Sequence, residues 1–193
     1  QLLLAKLSSD AEHPTADEIE INAKEFYLSN QEKFVVPEKV RVRHILVTPK
    51  DGRTEPQMLA RAEQALAELR KEGANFETIA KQYSDDPSVT RNGGDLGFVL
   101  RSKLVEDFAK VAFAMTQPGE LSQPVKTQFG YHIIQFVERK AEERLSFEQA
   151  KAGLIEQEVN KFETAIRERK LRDVQSSPDI KVNEEALRAL IGG

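Results

Sequence analysis

Two stretches of this chain alternate as a β-strand does, and each sets a histidine among apolar residues. In residues 40–48, Val-Arg-Val-Arg-His-Ile-Leu-Val-Thr, strand parity puts Val40, Val42, His44 and Leu46 on one face. In residues 131–137, Tyr-His-Ile-Ile-Gln-Phe-Val, parity puts His132, Ile134 and Phe136 together. Between the two, the apolar step lengthens to three or four residues, so the middle of the chain must lay helices on a sheet.

Leu59, Ala62, Leu66 and Leu69 predict a helix over residues 56–72, with Gly73 suited to its C-terminal cap. Phe76, Ile79, Ala80 and Tyr83 predict a second helix over 76–83, and Phe108, Val111, Ala112 and Met115 a third over 105–115. Residues 84–88 (Ser-Asp-Asp-Pro-Ser) and 92–97 (Asn-Gly-Gly-Asp-Leu-Gly) read as loop and turn. The order is β-α-α-loop-α-β-β, a mixed α+β domain of roughly 100 residues.

The flanks are helical. Thr15-Ala16-Asp17-Glu18 is a capping-box pattern followed by Ile19, Ala23, Phe26 and Asn30 at helical spacing, and Pro37 bars easy continuation. Ser146-Phe147-Glu148-Gln149 opens a second box. Phe147, Lys151, Leu154, Ile155, Glu158, Phe162 and Ile166 then step along a helix which, run to Arg172, has about 26 residues and a length of roughly 39 Å. Ser176-Ser177-Pro178 should break it, residues 180–182 could pair as a short strand, and Asn183 could cap a last helix. Three segments follow: 1–37, 38–138 and 139–193, with the two flanks expected to fold as one. Phe26, Phe34, Phe147 and Phe162 could line a groove for unfolded chains or simply pack the two helices on each other.

Composition narrows the function. A chain of 193 residues that is 39% apolar has enough to build a core, yet its longest apolar runs are only a few residues, so no transmembrane segment is expected. Residues 1–37 hold 3 basic and 7 acidic residues while the other two segments are balanced, so the net charge of −4 is an N-terminal feature. No basic stripe points to nucleic acid. The absence of Cys excludes disulfides, thiolate metal sites and thiol nucleophiles. The chain opens on Gln1 and Leu2-Leu3-Leu4-Ala5 rather than an initiator Met or a basic leader, which reads as processed or excised from something longer.

His44 and His132 have two compatible readings: a mutually satisfied core pair, or polar groups fixed in an apolar wall to serve a site. Asp85, Asp86 and Asp95 lack the ligand spacing of a calcium loop, and two His with one Asp have no local iron-site signature. Gly93-Gly94 matches neither a phosphate loop nor a dinucleotide fingerprint and reads as a tight turn, and no Gly-x-Ser-x-Gly elbow is present.

The ordered set Arg43-His44-Ile45-Leu46-Val47, Tyr83-Ser84-Asp85-Asp86-Pro87-Ser88, Gly93-Gly94-Asp95-Leu96-Gly97-Phe98, Phe108 with Ala112-Phe113, Pro118-Gly119-Glu120-Leu121-Ser122, Pro124-Val125 and Phe129-Gly130-Tyr131-His132-Ile133-Ile134 resembles the parvulin family of peptidyl-prolyl cis/trans isomerases. It covers about residues 38–138. The helical flanks more loosely resemble those of bacterial extracytoplasmic foldases of the SurA and PrsA type. The resemblance implies an antiparallel or mixed four-stranded sheet flanked by helices, with an α-helical domain built from the flanks. It implies catalytic roles for His44, Asp86, Thr127 and His132 and a proline pocket of Leu96, Leu104 and Phe108, with no metal and no cofactor. Leu104 departs from the Met often found there, a volume-conserving change, and Asp86 stands where other members carry Cys. The residues between strand and first helix, Lys50-Asp51-Gly52-Arg53, hold no basic cluster of the kind that selects phosphorylated substrates.

The expected function is therefore isomerisation of X-Pro bonds in unfolded or exported polypeptides, with folding-chaperone activity, outside the cytoplasm. Proline-containing peptides and unfolded chains are the expected partners, nucleic acid is not, and a homodimer could form through the flanks. The competing reading is a chaperone that uses an inactive parvulin fold only to bind peptides. A metal-dependent enzyme at the two histidines is a third.

Overall fold

In the computed structural model of the chain, residues 14–176 are described. They divide into two compact units, one taking the chain up to Val35 and from Arg144 on, the other Val36–Glu143. In chain order the elements are α1 (Ala16–Ser29), β1 (Val35–Val36), β2 (Lys39–Val47), α2 (Glu55–Leu69), α3 (Phe76–Tyr83), α4 (Val89–Asn92), β3 (Asp95–Leu100), α5 (Glu106–Ala112), β4 (Val125–Thr127), β5 (Gly130–Lys140), β6 (Glu143–Arg144) and α6 (Phe147–Ser176).

The first unit pairs α1 with α6. The Thr15 box forms as expected, Thr15 N–H donating to Glu18 Oε2 at 2.8 Å and Glu18 N–H to Thr15 Oγ1 at 3.3 Å. Ile19 and Ala23 of α1 are fully buried, and Ile19 clusters with Val159 and Ile155 of α6. Phe26, Phe34 and Phe147 meet around Tyr27, with Tyr27 4.8 Å from Phe34 and 5.8 Å from Phe147 between ring centroids. Three of the four phenylalanines thus serve packing within the unit. α6 continues through Arg172 to Ser176, 30 residues in all. Pro178, the expected strand at 180–182 and the Asn183 cap lie outside the described residues.

The second unit is a four-stranded antiparallel sheet in the order β3-β2-β5-β4, covered on both faces. Ile45, Val47, Tyr131 and Ile133 pack under α2 and α3. Residues of opposite parity, Val40, Val42, Ile134 and Phe136, pack under α5. The parity read from the sequence for β2 and β5 therefore holds, and it puts both histidines on the α5 face.

Three local readings are corrected. The stretch from Asp95 is strand β3, not loop; its alternation is hidden by a bulge, since a two-residue step on β2 (Arg41 to Arg43) is matched by a three-residue step on β3 (Phe98 to Asp95). Gly97, at φ 65°, supplies the left-handed residue of that bulge, so Leu96 and Val99 both pack on the α5 side despite lying three apart. α2 ends at Leu69, with Gly73 in the turn beyond it rather than at the cap. α5 is shorter than the expected 105–115: Val105 is its N-cap and it ends at Ala112, although Phe113 and Met115 stay buried.

Candidate active site

The register of β2 on β5 pairs His44 with Ile134 and Leu46 with His132, so the two histidines are diagonal neighbours on one face. Their rings stack at 5.6 Å and 18°, with Nδ1 facing Nδ1 at 3.4 Å. Thr127, on β4, brings Oγ1 to 2.9 Å from His132 Nε2. At the other end His44 Nε2 is 2.8 Å from Asp86 Oδ2, and Asp86 Oδ1 accepts the Ser88 N–H at 2.8 Å. The structure thus joins all four polar site residues in one row, Thr127–His132–His44–Asp86. His44, His132 and Thr127 are buried, while the Asp86 side chain keeps 20% of its surface exposed. Asp86 is the end of the row that a ligand can reach.

Protonation gives this row a direction. Burial lowers the His44 pKa and outweighs the carboxylate of Asp86. Burial, with the neighbouring His44 charge, pushes His132 down to about 4. Burial raises the Asp86 pKa, but the Ser88 N–H and hydroxyl and then His44 more than offset it, leaving the group below its ordinary value. At neutral pH Asp86 is therefore an anion that only accepts, and both rings are neutral. His44 must donate from Nε2 to Asp86, which leaves its Nδ1 to accept from His132 Nδ1–H. His132 Nε2 then accepts the Thr127 hydroxyl proton, and Thr127 Oγ1 accepts the Phe129 N–H at 3.2 Å. Every donor in the row points toward Asp86, and each bond polarises the next.

The segment that carries Asp86 is tied down by groups the sequence did not flag. Ser84 Oγ accepts from Leu46 N–H at 3.1 Å and Asp86 N–H at 3.3 Å. Asp85 N–H donates to Leu46 O at 2.7 Å, while its buried carboxylate accepts from Thr48 N–H at 2.9 Å and pairs with Arg53. Arg61 donates to the carbonyls of Tyr83 and Gln82 at 3.2 and 2.8 Å. Gly94 allows the next strand to close in, because its carbonyl accepts the His44 N–H at 2.8 Å and a Cβ there would meet His44 O at 2.6 Å. The Asx turn of Asp86 onto Ser88 was open to a reading of Asp-Pro-Ser. Nothing in the spacing of Arg53 or Arg61 announced their partners.

Phe108 roofs the histidines edge-on, its ring centroid 5.9 Å from His44 and 5.2 Å from His132. Leu96 from the β3 bulge and Leu104 from the turn before α5 are half-buried and pack into the same cluster. All three residues expected to hold a proline ring thus belong to or pack against one apolar cluster, and Phe108 brings that cluster onto the histidines. The three aspartates weighed as a cation site are not: Asp85 pairs with Arg53, Asp86 with His44 and Asp95 with Arg41. Among the described residues no group of three or more acidic or imidazole side chains is arranged to hold a metal.

The chain is similar to known proteins. The rotamase family model described as a PPIC-type PPIase domain matches residues 44–138. The foldase protein PrsA of Bacillus subtilis is 37% identical over 155 residues, covering 78% of this chain and 47% of that protein. The chaperone SurA of Shewanella sp. is 40% identical over 103 residues, covering 53% of this chain and 24% of that protein. Among solved structures, one reported for PEB4 and the periplasmic protein Cj1289, described as SurA-like chaperones of Campylobacter jejuni, aligns with a TM-score of 0.64 at 28% identity, covering 94% of this chain and 67% of that one. The chain spans about half to just under two thirds of the length of its PrsA relatives. Residues 44–138 belong to the parvulin-type, or PPIC-type, family of peptidyl-prolyl isomerase domains, in a chain that resembles the PrsA and SurA foldases.

Proposed function

We propose that the chain is a peptidyl-prolyl cis/trans isomerase with folding-chaperone activity, acting without a cofactor on X-Pro bonds of unfolded or exported polypeptides. The observation that carries this reading is the directed row Thr127–His132–His44–Asp86, roofed by Phe108 of the apolar cluster on which Leu96 and Leu104 also pack.

Rotation about an X-Pro bond breaks amide resonance against a barrier of about 18–20 kcal/mol and takes tens of seconds or longer unaided. An acceleration of about five decades needs roughly 7 kcal/mol of preferential binding to the twisted form. No covalent bond is made or broken, so no nucleophile is required. The pocket holds the pyrrolidine ring while the preceding carbonyl swings past Asp86. Planar amide resonance places negative charge on that oxygen, and an adjacent carboxylate disfavours it. Twisting withdraws the charge, so Asp86 favours the transition state over either planar isomer. Ser88 and then His44 keep Asp86 ionised, and His132 and Thr127 fix the His44 ring that aims it. Arg53, held by Asp85 and by Thr48 O, is not free to bind a phosphate, which supports substrates without phosphorylation.

We assign residues 38–138 to catalysis and the flanks, 1–37 and 139–193, to a helical part that holds client chains. The names foldase and chaperone borne by the relatives support this division, and the periplasmic Campylobacter protein supports an extracytoplasmic location. No described helix is long and apolar enough to cross a membrane.

The test is isomerase activity on a proline tetrapeptide, measured beside suppression of aggregation of an unfolded protein, with the full chain. Acceleration of the peptide's cis/trans exchange is expected together with suppression. Suppression with no acceleration would decide for a chaperone built on an inactive parvulin fold.

A further inference from the structure

α5 and β4 have more surface than the proline pocket uses. α5 gives Phe108 to the histidines, but Val111, one turn on, and Ala114, just past its end, face a groove of about 680 Å³ whose opposite wall includes Leu121 and Val125. Val125 pairs across the sheet with His132, and Thr127, two residues along the same strand, is the residue that bonds to that ring. The groove is therefore walled by the same two elements, α5 and β4, that carry Phe108 and Thr127.

We infer that this groove is a second substrate subsite, which takes apolar side chains of the same extended polypeptide two or more residues from the isomerised proline. The inference rests on the isomerase reading and names the substrate class that reading leaves open: apolar stretches of unfolded chain rather than any exposed proline turn. The two elements shared with the site are the main argument. Val125 packs against the same apolar cluster as Phe108, and two residues of extended chain span roughly 7 Å, so a peptide whose proline lies on Phe108 can set a side chain a few residues away on Val125. β4 is the edge strand of the sheet, so an extended substrate running beside it meets a strand with one open side, the setting used in β-strand addition. The volume suits a bound segment of a few side chains. The rim carries Asp107 and Glu120 against Lys110 and Lys126, which favours neither an acidic nor a basic occupant and leaves the apolar floor to select.

The test uses the full chain and peptides with one central X-Pro: a tetrapeptide, and versions lengthened by Leu-Val-Leu or by Ser-Gln-Ser on either the N-terminal or the C-terminal side. Apolar lengthening on one side is expected to raise kcat/KM about tenfold, through KM, while polar lengthening on that side does not. Ala114 is exposed, and Ala114→Glu sets a charge in the groove without disturbing the core. It should bring the ratio of long to short apolar peptide close to one. Equal kcat/KM for short, apolar and polar peptides would overturn the subsite while leaving the isomerase reading intact. No turnover of any peptide would overturn both.

Discussion

His44 and His132 meet through like atoms, Nδ1 to Nδ1 at 3.4 Å, so one ring must donate there and the other accept. The choice is made elsewhere, by an anion at one end of the row and a hydroxyl at the other. With Asp86 ionised, His44 is the Nε2–H tautomer and His132 the Nδ1–H tautomer. Ring ¹⁵N shifts at pH 7 should report this pair of neutral tautomers. Two rings of the same tautomer would show that the row is not directed as described.

The same row makes stability depend on pH. His132 has a folded value of about 4 against an unfolded value near 6.5, so between those limits the unfolded chain binds a proton that the folded chain refuses. Stability is therefore fully present above about pH 6.5, falls as pH drops, and this loss is complete below about 4. It amounts to something on the order of 3 kcal/mol. Asp86, also lowered on folding, adds a loss in the same direction at still lower pH, below its unfolded value. Urea midpoints at pH 7, 5.5 and 4 should decline in that order. A His132 ring resonance that titrates near 6.5 would contradict the assignment.

Thr127→Val keeps the shape of the side chain and removes the proton that His132 Nε2 accepts. The ring is then left with an unmatched buried nitrogen, at a cost of about 1–3 kcal/mol in stability, measured by urea unfolding. Isomerase activity should fall as well, while Thr127→Ser restores both. Equal loss from the Ser variant would mean that the methyl group, not the hydroxyl, matters.

Arg53 acts at a distance from the chemistry. Arg53→Leu leaves the buried Asp85 carboxylate with only the Thr48 N–H and hydroxyl, and should cost roughly 2–4 kcal/mol. Because Asp85 precedes Asp86, kcat should drop more than KM rises. Arg53→Leu combined with Asp85→Asn removes the unpaired charge and should recover much of the stability. A double variant no more stable than the single would show that the ion pair is not what holds the segment.

Legibility in the sequence followed local periodicity. β2 and β5 alternate without interruption across the stretch that carries the histidines, so their faces could be read from parity alone. β3 could not, because the bulge at Gly97 spends an extra residue and its first residues look like turn chemistry. The four polar residues and the three apolar ones were named through the family resemblance, and the structure shows how they are placed: one register, one Asx turn and one bulge position residues that are up to 88 positions apart. Arg53 and Arg61 were invisible for the opposite reason. Their partners are a carboxylate and two backbone carbonyls fixed only by tertiary packing, and no spacing rule encodes such a meeting.

The central claim is that the ionised Asp86, aimed by the histidine row, favours the twisted amide. The most direct measurement is the cis/trans exchange rate of a proline tetrapeptide by NMR, with the full chain as wild type and as Asp86→Ala, both checked for folding. A loss of roughly a hundredfold in catalysed exchange is expected, the size of effect that removal of one preorganised electrostatic group produces. A folded Asp86→Ala protein that exchanges the peptide at the wild-type rate would contradict the claim.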